Sequence, residues 1–361
     1  MILLPNGEKL MSNEYKFPKT LLHELYGREN INGPFILADL GLTNGGCLST
    51  ALELVKIAAE LGVDAVKFQM LDADELINNK EVEYTYPTIL EGSKTENMVE
   101  MFKGLEFSNA DWEAIKSLCE TLHIGMIVTS HVLSAVDRIE SLNLPVNKIC
   151  TWSVDHWQMI ERLASNGKPL IIDTGTIDID ELRELETFYR SAGGGELIIL
   201  FDFHTKDSLD RNFSAISTLT NSGFAVGYTP QGREDWLDFM SVGLGATIIE
   251  KRLTLSRTRP KNGHWKAHEP SEFAEWVQCL RDCALALGDP FLRPTKADLE
   301  LTKGWYKSAF LNQEVCEGQV ILNEHFTFKR PGHGISSKEV YVKWLGNTYM
   351  KPYVNGQLFE G

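Results

Sequence analysis

The strongest constraint in this chain is an alternation. Eight short apolar runs rich in Val and Ile are separated by stretches with helical spacing. The runs are Phe35–Leu40 (FILADL), Asp64–Met70 (DAVKFQM), Ile124–Thr129 (IGMIVT), Asn147–Cys150 (NKIC), Pro169–Thr174 (PLIIDT), Glu196–Phe201 (ELIILF), Phe224–Tyr228 (FAVGY) and Ala246–Glu250 (ATIIE). Most are continuous rather than alternating, as parallel strands buried on both faces require. Between them, Leu48–Leu61 repeats apolar residues at three and four positions, the stripe of a helix packed on one side. Asn109–Leu122 follows Ser108, Asp178–Ser191 starts on a candidate cap, and Glu269–Leu287 repeats the pattern. Strands alternating with helices predict an α/β protein, a (β/α)8 TIM barrel ahead of an open doubly wound sheet. Neither GxGxxG nor GxxxxGKS occurs, which removes the best support for a dinucleotide or P-loop fold.

The chain has 361 residues, enough for a barrel of ~250 and a further ~60–70. We expect an N-terminal extension over 1–32, the barrel over 33–290, a linker over 291–300 and a small β-rich domain over 301–361. The Gly/Pro-rich segment GDPFLRPT (Gly288–Thr295) ends the barrel pattern. A domain of that size buries little core alone and should lean on the barrel or on a second subunit. No apolar run approaches the ~20 residues of a membrane span, and the N-terminus lacks the pattern of a signal peptide. The six cysteines are scattered without a CxxC pair. Cys279 and Cys283 sit four apart, a spacing that can bind metal but is more often simply one face of a helix; a reduced, cytoplasmic protein is expected. The net charge of −15 excludes nucleic acid and anionic membrane surfaces as natural partners. Basic residues converging on so acidic a protein point to an anionic ligand.

In a barrel of this kind the active site lies at the C-terminal ends of the strands. The residues there are Asp39, Lys67 with Gln69, Thr129, Lys148 with Thr151, Asp173, Asp202 with His204, Thr229 with Gln231, and Lys251 with Arg252. Three lysines and an arginine at one mouth suit a phosphate or carboxylate. The plainer role for any one lysine is pairing with a neighbouring carboxylate such as Asp39 or Asp173. His131, His156, His204, His264 and His268 are read chiefly as satisfied polar histidines, with His204 the candidate acid or base. Trp152 and Trp157, near Lys148, are candidates for a pocket wall, against the commoner fate of core packing.

The run ILADLGLTNGGCLSTALELVKIAAELGVDAVKFQM resembles the opening motif of NeuB-type sialic acid synthases, roughly AEIGxNHxG, a helix, then GADAVKFQ. The resemblance continues through Val128–Asp137, PVNKIC, KPLIIDTGT, GYTPQG, IIEKRLT and HEP. It ends in KSAF…EGQVI…FKRPGHGIS, similar to the antifreeze-like (SAF) domain of that family. It implies a transferase that joins phosphoenolpyruvate to the aldehyde of an open-chain N-acetylated sugar. The product is a 2-keto acid, phosphate is released, and manganese or magnesium polarises the aldehyde. On this mapping Lys67 and Lys148 hold the donor's phosphate and carboxylate. Gln69, Thr129, Thr151 and Thr229 supply hydrogen bonds, and Asp173 stands where the family has serine. The resemblance also implies a swapped homodimer in which Arg330 of the small domain contacts the sugar in the partner's barrel.

The metal end departs from the family. Its two ligating histidines, in GxSDHT and IEKHFT, are replaced by Gln231 and Arg252. Glutamine is a poor ligand, and an arginine that stays charged cannot ligate. NHxG has become Thr43-Asn44-Gly45-Gly46, its acid is Asp39 rather than Glu, and the aspartate expected before His264 is Gly263. The family's HCxxxYP-like segment is replaced by Phe201-Asp202-Phe203-His204-Thr205-Lys206. Loss of both ligands with a cation arriving in the gap favours changed chemistry over a dead enzyme. The expected activity is a condensation of a phosphoenolpyruvate-like anion with a sugar or other aldehyde, with no metal cofactor and with Arg252 and His204 facing the acceptor. The alternative is a non-catalytic or regulatory protein that binds a small phosphorylated or carboxylated ligand.

Overall fold

The computed structural model describes residues 17–29 and 33–361. Contacts divide the chain into two compact units, with the boundary between Asp289 and Pro290. In the first, strands β1 (Phe35–Asp39), β2 (Ala65–Met70), β5 (Gly125–Ser130), β6 (Asn147–Ile149), β7 (Leu170–Asp173), β8 (Leu197–Phe201), β9 (Ala225–Tyr228) and β10 (Ile248–Arg252) close into a barrel. Every neighbouring pair is parallel, β1 sealing against β10. The eight apolar runs are these eight strands, and the barrel is of the TIM type.

Alternation along each strand sorts the side chains. Phe35, Leu37, Ala65, Ile127, Ile171, Ile198, Leu200 and Ile248 fill the barrel interior. Their neighbours Ile36, Val66, Met126, Ile172, Ile199 and Ile249 pack outward under the helices. Helix Leu48–Glu60 turns Ala51, Leu54, Val55 and Ala58 inward. Ser108 and Asp178 cap their helices as expected, each within a reciprocal capping box with the third helical residue.

Three features of organisation were not expected from the sequence. The N-terminal extension is structural in part: Thr20 caps a helix, Leu21–Leu25, and Leu22 packs with the interior residues of the barrel. Leu25 packs against the same interior cluster; residues 1–16 and 30–32 lie outside the described residues. A hairpin, β3 (Glu83–Thr88) with β4 (Gly92–Asn97), is inserted after β2 and leads into helix Met98–Lys103. Lastly, the expected linker 291–300 contains the start of helix Lys296–Trp305, capped by Thr295 and Asp298.

The second unit is built on the antiparallel pair β11 (Ser308–Leu311) and β12 (Phe326–Lys329). Its core gathers Ala309, Leu311, Val315, Ile321, Phe326, Val340, Tyr349, Tyr353 and Phe359. Exposed Arg330 donates from Nε to the Trp305 carbonyl at 2.9 Å, with its guanidinium 4.7 Å from the Trp305 ring centroid.

Candidate active site

Above the apolar interior, the inward positions of the strands turn polar, and the barrel register decides which meet. Asp39 on β1 pairs across to Lys67 on β2 and to Arg252 on β10. Its carboxylate therefore bridges both, with Lys67 Nζ at 2.8 Å from Oδ1 and Arg252 at 2.9 Å from Oδ2. Lys67 also reaches Glu250 Oε1 at 3.0 Å. The other oxygen of Glu250 lies 3.4 Å from Lys148, which is 2.6 Å from Asp173. The result is a continuous chain of alternating charge, Arg252–Asp39–Lys67–Glu250–Lys148–Asp173, almost wholly buried.

Burial penalises each charge and the neighbours repay it. Burial raises the Asp39 carboxyl, but Lys67 and Arg252 outweigh that and hold it well below the usual carboxylate range. Burial lowers Lys67 and Lys148, yet their carboxylate partners win and both sit above the usual lysine value. At Asp173 burial prevails. With Glu250 and Asp202 adding to it, the carboxyl is pushed up to about 7 despite Lys148. Gly41 lets this floor close: a Cβ there would lie 2.7 Å from Gln69 Cγ, and its N–H donates to Asp39 Oδ1 at 2.9 Å.

A second, looser group stands at the rim. Asp202 accepts from Thr151 Oγ1 at 2.7 Å and from Gln231 Nε2 at 3.0 Å, with His204 Nε2 3.7 Å away. Lys266 donates to Gln231 Oε1 at 3.1 Å. The His204 ring lies 4.7 Å from that of the exposed Trp152. Between floor and rim opens a cavity of about 570 Å³, a size suited to a small metabolite. Lys67, Gln69, Thr129, Thr151, Asp173, His204, Thr229, Gln231 and Arg252 border it; Tyr84, Met98, Met101 and Phe102 from the hairpin and its helix form an apolar wall. Thr129, His131 and Arg252 border this cavity, and each has a buried polar atom, Oγ1, Nε2 and Nε respectively, without a hydrogen-bond partner. Unused donors and acceptors on a cavity wall are capacity for a ligand.

Of the site residues read from the sequence, Asp39 and Lys148 lie beneath the cavity rather than on its wall, Lys148 with its side chain fully buried. Arg330 belongs to the other unit. Lys251 is corrected: it does not join the mouth. Glu250 and Arg252 face inward, so alternation sends Lys251 outward, where Nζ lies 2.6 Å from Asp238 and 2.8 Å from Asp235. His268 Nε2 is 2.9 Å from Asp235 and His264 Nδ1 is 2.7 Å from Thr254 Oγ1, the roles of polar histidines with partners. Glu250 and Lys266 are the residues the sequence reading missed. Counting in twos from Ile248 would have found Glu250. Lys266 lies on a short 3-10 turn, His264–Lys266, which carries no periodic signal.

The two positions where the resembled family ligates metal do not suit a divalent ion. Gln231 spends its amide on Asp202 and Lys266, and Arg252 is held by Asp39. A guanidinium offers no lone pair. Among the described residues no group of three or more His, Cys, Asp or Glu side chains is placed to hold a metal.

The NeuB family model matches residues 54–291, more than half of the chain, and the chain belongs to the NeuB family. It is 30% identical to the N,N'-diacetyllegionaminic acid synthase of Legionella pneumophila, over 85% of this chain and 88% of that protein. It is 24% identical to the human N-acetylneuraminate-9-phosphate synthase, over 82% of each. The fold is similar to that of the N-acetylneuraminic acid synthetase of Leptospira borgpetersenii, with a TM-score of 0.65 at 24% identity, covering 75% of this chain and 91% of that one.

Proposed function

We propose that this protein is a NeuB-type synthase that condenses phosphoenolpyruvate, or a closely similar anion, with an aldehyde acceptor to give a 2-keto acid, without a divalent cation. The observation that carries the reading is the cavity at the barrel mouth. Lys67, Arg252 and the unpartnered Thr129 hydroxyl border it, in a chain of this family. Lys67 and Thr129 hold the donor's anionic groups, with Lys148 supporting from below through Asp173 and Glu250. Gln69, Thr151 and Thr229 fix its orientation. Arg252 and His204 face the acceptor, and the Arg252 charge stabilises the oxygen on which negative charge develops. Carbon 3 of the donor bonds to the aldehyde carbon, water adds at carbon 2, and phosphate leaves.

The apolar wall of Tyr84, Met98, Met101 and Phe102 suits an acceptor with an apolar substituent. On the resemblance alone we also propose a cytoplasmic, swapped homodimer with an antifreeze-like second domain, Arg330 acting in the partner's barrel.

One observation favours the alternative of a non-catalytic anion-binding protein: each cation of the floor is already matched by a carboxylate. The test is phosphate release from phosphoenolpyruvate with a panel of aldoses, in chelator and in manganese. The proposal expects aldehyde-dependent release at equal rates in both. Release only with manganese ends the metal-free reading, and binding without release under every condition favours the alternative.

A further inference from the structure

Lys266 differs from every other lysine of the site. Lys67 and Lys148 each lie within 3.0 Å of a carboxylate oxygen. Lys266 makes no ion pair among the described residues, and its polar contact is the neutral Gln231 Oε1 at 3.1 Å. That contact is directional. Asp202 takes the amide nitrogen of Gln231 at 3.0 Å, so the amide oxygen is presented to Lys266 and the remaining N–H bonds of the ammonium are unspent. Lys266 borders the same cavity as Arg252, whose Nε is buried without a partner. Two cationic donors with unused capacity therefore bound one space, Arg252 at one of the two positions that do not suit a divalent ion and Lys266 bonded to Gln231 at the other.

We infer that Lys266 and Arg252 together form the acceptor's electrophilic site: both donate to the carbonyl oxygen, and Lys266 delivers the proton that this oxygen takes up. The inference rests on the condensation reading above. As carbon 3 of phosphoenolpyruvate bonds to the aldehyde carbon, the C=O π pair moves onto oxygen and takes a proton from the Lys266 ammonium. The amine recovers a proton from the water that adds to carbon 2. The resulting hemiketal phosphate loses its hydroxyl proton with the departing phosphate, leaving the ketone. No proton is left over.

The surroundings suit a donor that must give its proton and regain it each cycle. Burial lowers Lys266, Arg252 and Lys67 lower it further, Asp39 and Asp202 act the other way, and its value is pushed down to about 7. Lysine at 266 is thus the residue that would distinguish this site from one run by a metal.

The test compares the full-length wild type with Lys266→Met and Lys266→Arg. It measures phosphate release with phosphoenolpyruvate and the aldose panel, phosphoenolpyruvate affinity by calorimetry, and thermal melting to verify folding. Lys266→Met should lose at least ~100-fold in kcat, the loss typical when one oxyanion donor is removed, with phosphoenolpyruvate affinity within about twofold. Lys266→Arg keeps the charge but no proton it can release near neutrality, so the aldehyde KM should hold while kcat falls. A wild type that turns over while Lys266→Met keeps its rate overturns this inference alone. A wild type that releases no phosphate with any aldehyde overturns the condensation reading and this inference with it.

Discussion

The floor and the rim of the barrel mouth are built on opposite principles. The floor, Arg252–Asp39–Lys67–Glu250–Lys148–Asp173, is set by the register of rigid strands and pairs each charge with its opposite at 2.6–3.4 Å. The rim, Asp202, His204, Gln231 and Lys266, stands on residues beyond the strand ends and leaves an amine without a carboxylate. A fully matched floor resists change because removing one member strands its partner in low dielectric. An unmatched rim keeps its interaction energy for whatever enters. Reactivity is therefore expected at the rim and rigidity at the floor, although both are equally polar in sequence.

The largest effect should come from breaking the floor at its centre. Glu250 is the carboxylate that Lys67 and Lys148 share. Glu250→Gln removes the charge and leaves two buried ammoniums facing each other, a change of the class that costs ~3–5 kcal/mol. Urea unfolding should show that loss; a change below ~1 kcal/mol would mean that the floor is loosely hydrated and the comparison is wrong.

The two floor lysines should then separate. Lys67 borders the cavity whereas Lys148 does not. Lys67→Ala should weaken phosphoenolpyruvate binding by ~1.5–3 kcal/mol, the value of one charge-assisted contact. Lys148→Ala should cost less affinity and more stability, since it strands Asp173 rather than the ligand. Calorimetry paired with unfolding curves on both variants decides. The reverse ranking would return the donor's anion to Lys148.

Much of the fold was legible because its signal is local. A run such as PLIIDT or ELIILF has no hydrophilic face, so it reads as a strand buried on both sides, and eight of them with helices between leave few topologies. The hairpin Glu83–Asn97 was not legible: EYTYPT and GSKTEN are polar, and only pairing with each other makes them strands. The site was legible down to the strand end and no finer. Placing Lys251 at the mouth and passing over Glu250 are one error, since a one-residue slip of face exchanges the two. Lys148 was read from its strand end as well as from the resemblance, but its burial beneath Asp173 and Glu250 depends on side chains from three strands. Lys266 depends on a loop folding back over the barrel, which no periodicity reports.

The last prediction concerns Lys266 as a stability residue, and its sign sharpens the comparison. The native value is depressed from 10.5 to about 7, with burial the first cause. Between those limits the unfolded chain binds more protons than the native one, so this residue makes stability rise with pH from about 7 to about 10.5. Below that window both states are protonated and the native protein carries the whole penalty of the buried charge. Lys266→Met removes the penalty. It should melt above the wild type at pH 6–7, and the gap should close as pH approaches 10.5. Floor lysines must behave oppositely, because Lys67 and Lys148 have native values above 10.5 and contribute stability that is present below 10.5 and lost as pH rises beyond it. Melting curves of Lys266→Met and wild type across pH 6–10 read the sign directly. A variant less stable than wild type at pH 6 would mean that Lys266 is held by favourable contacts, and the rim would then be a second floor rather than a site kept open.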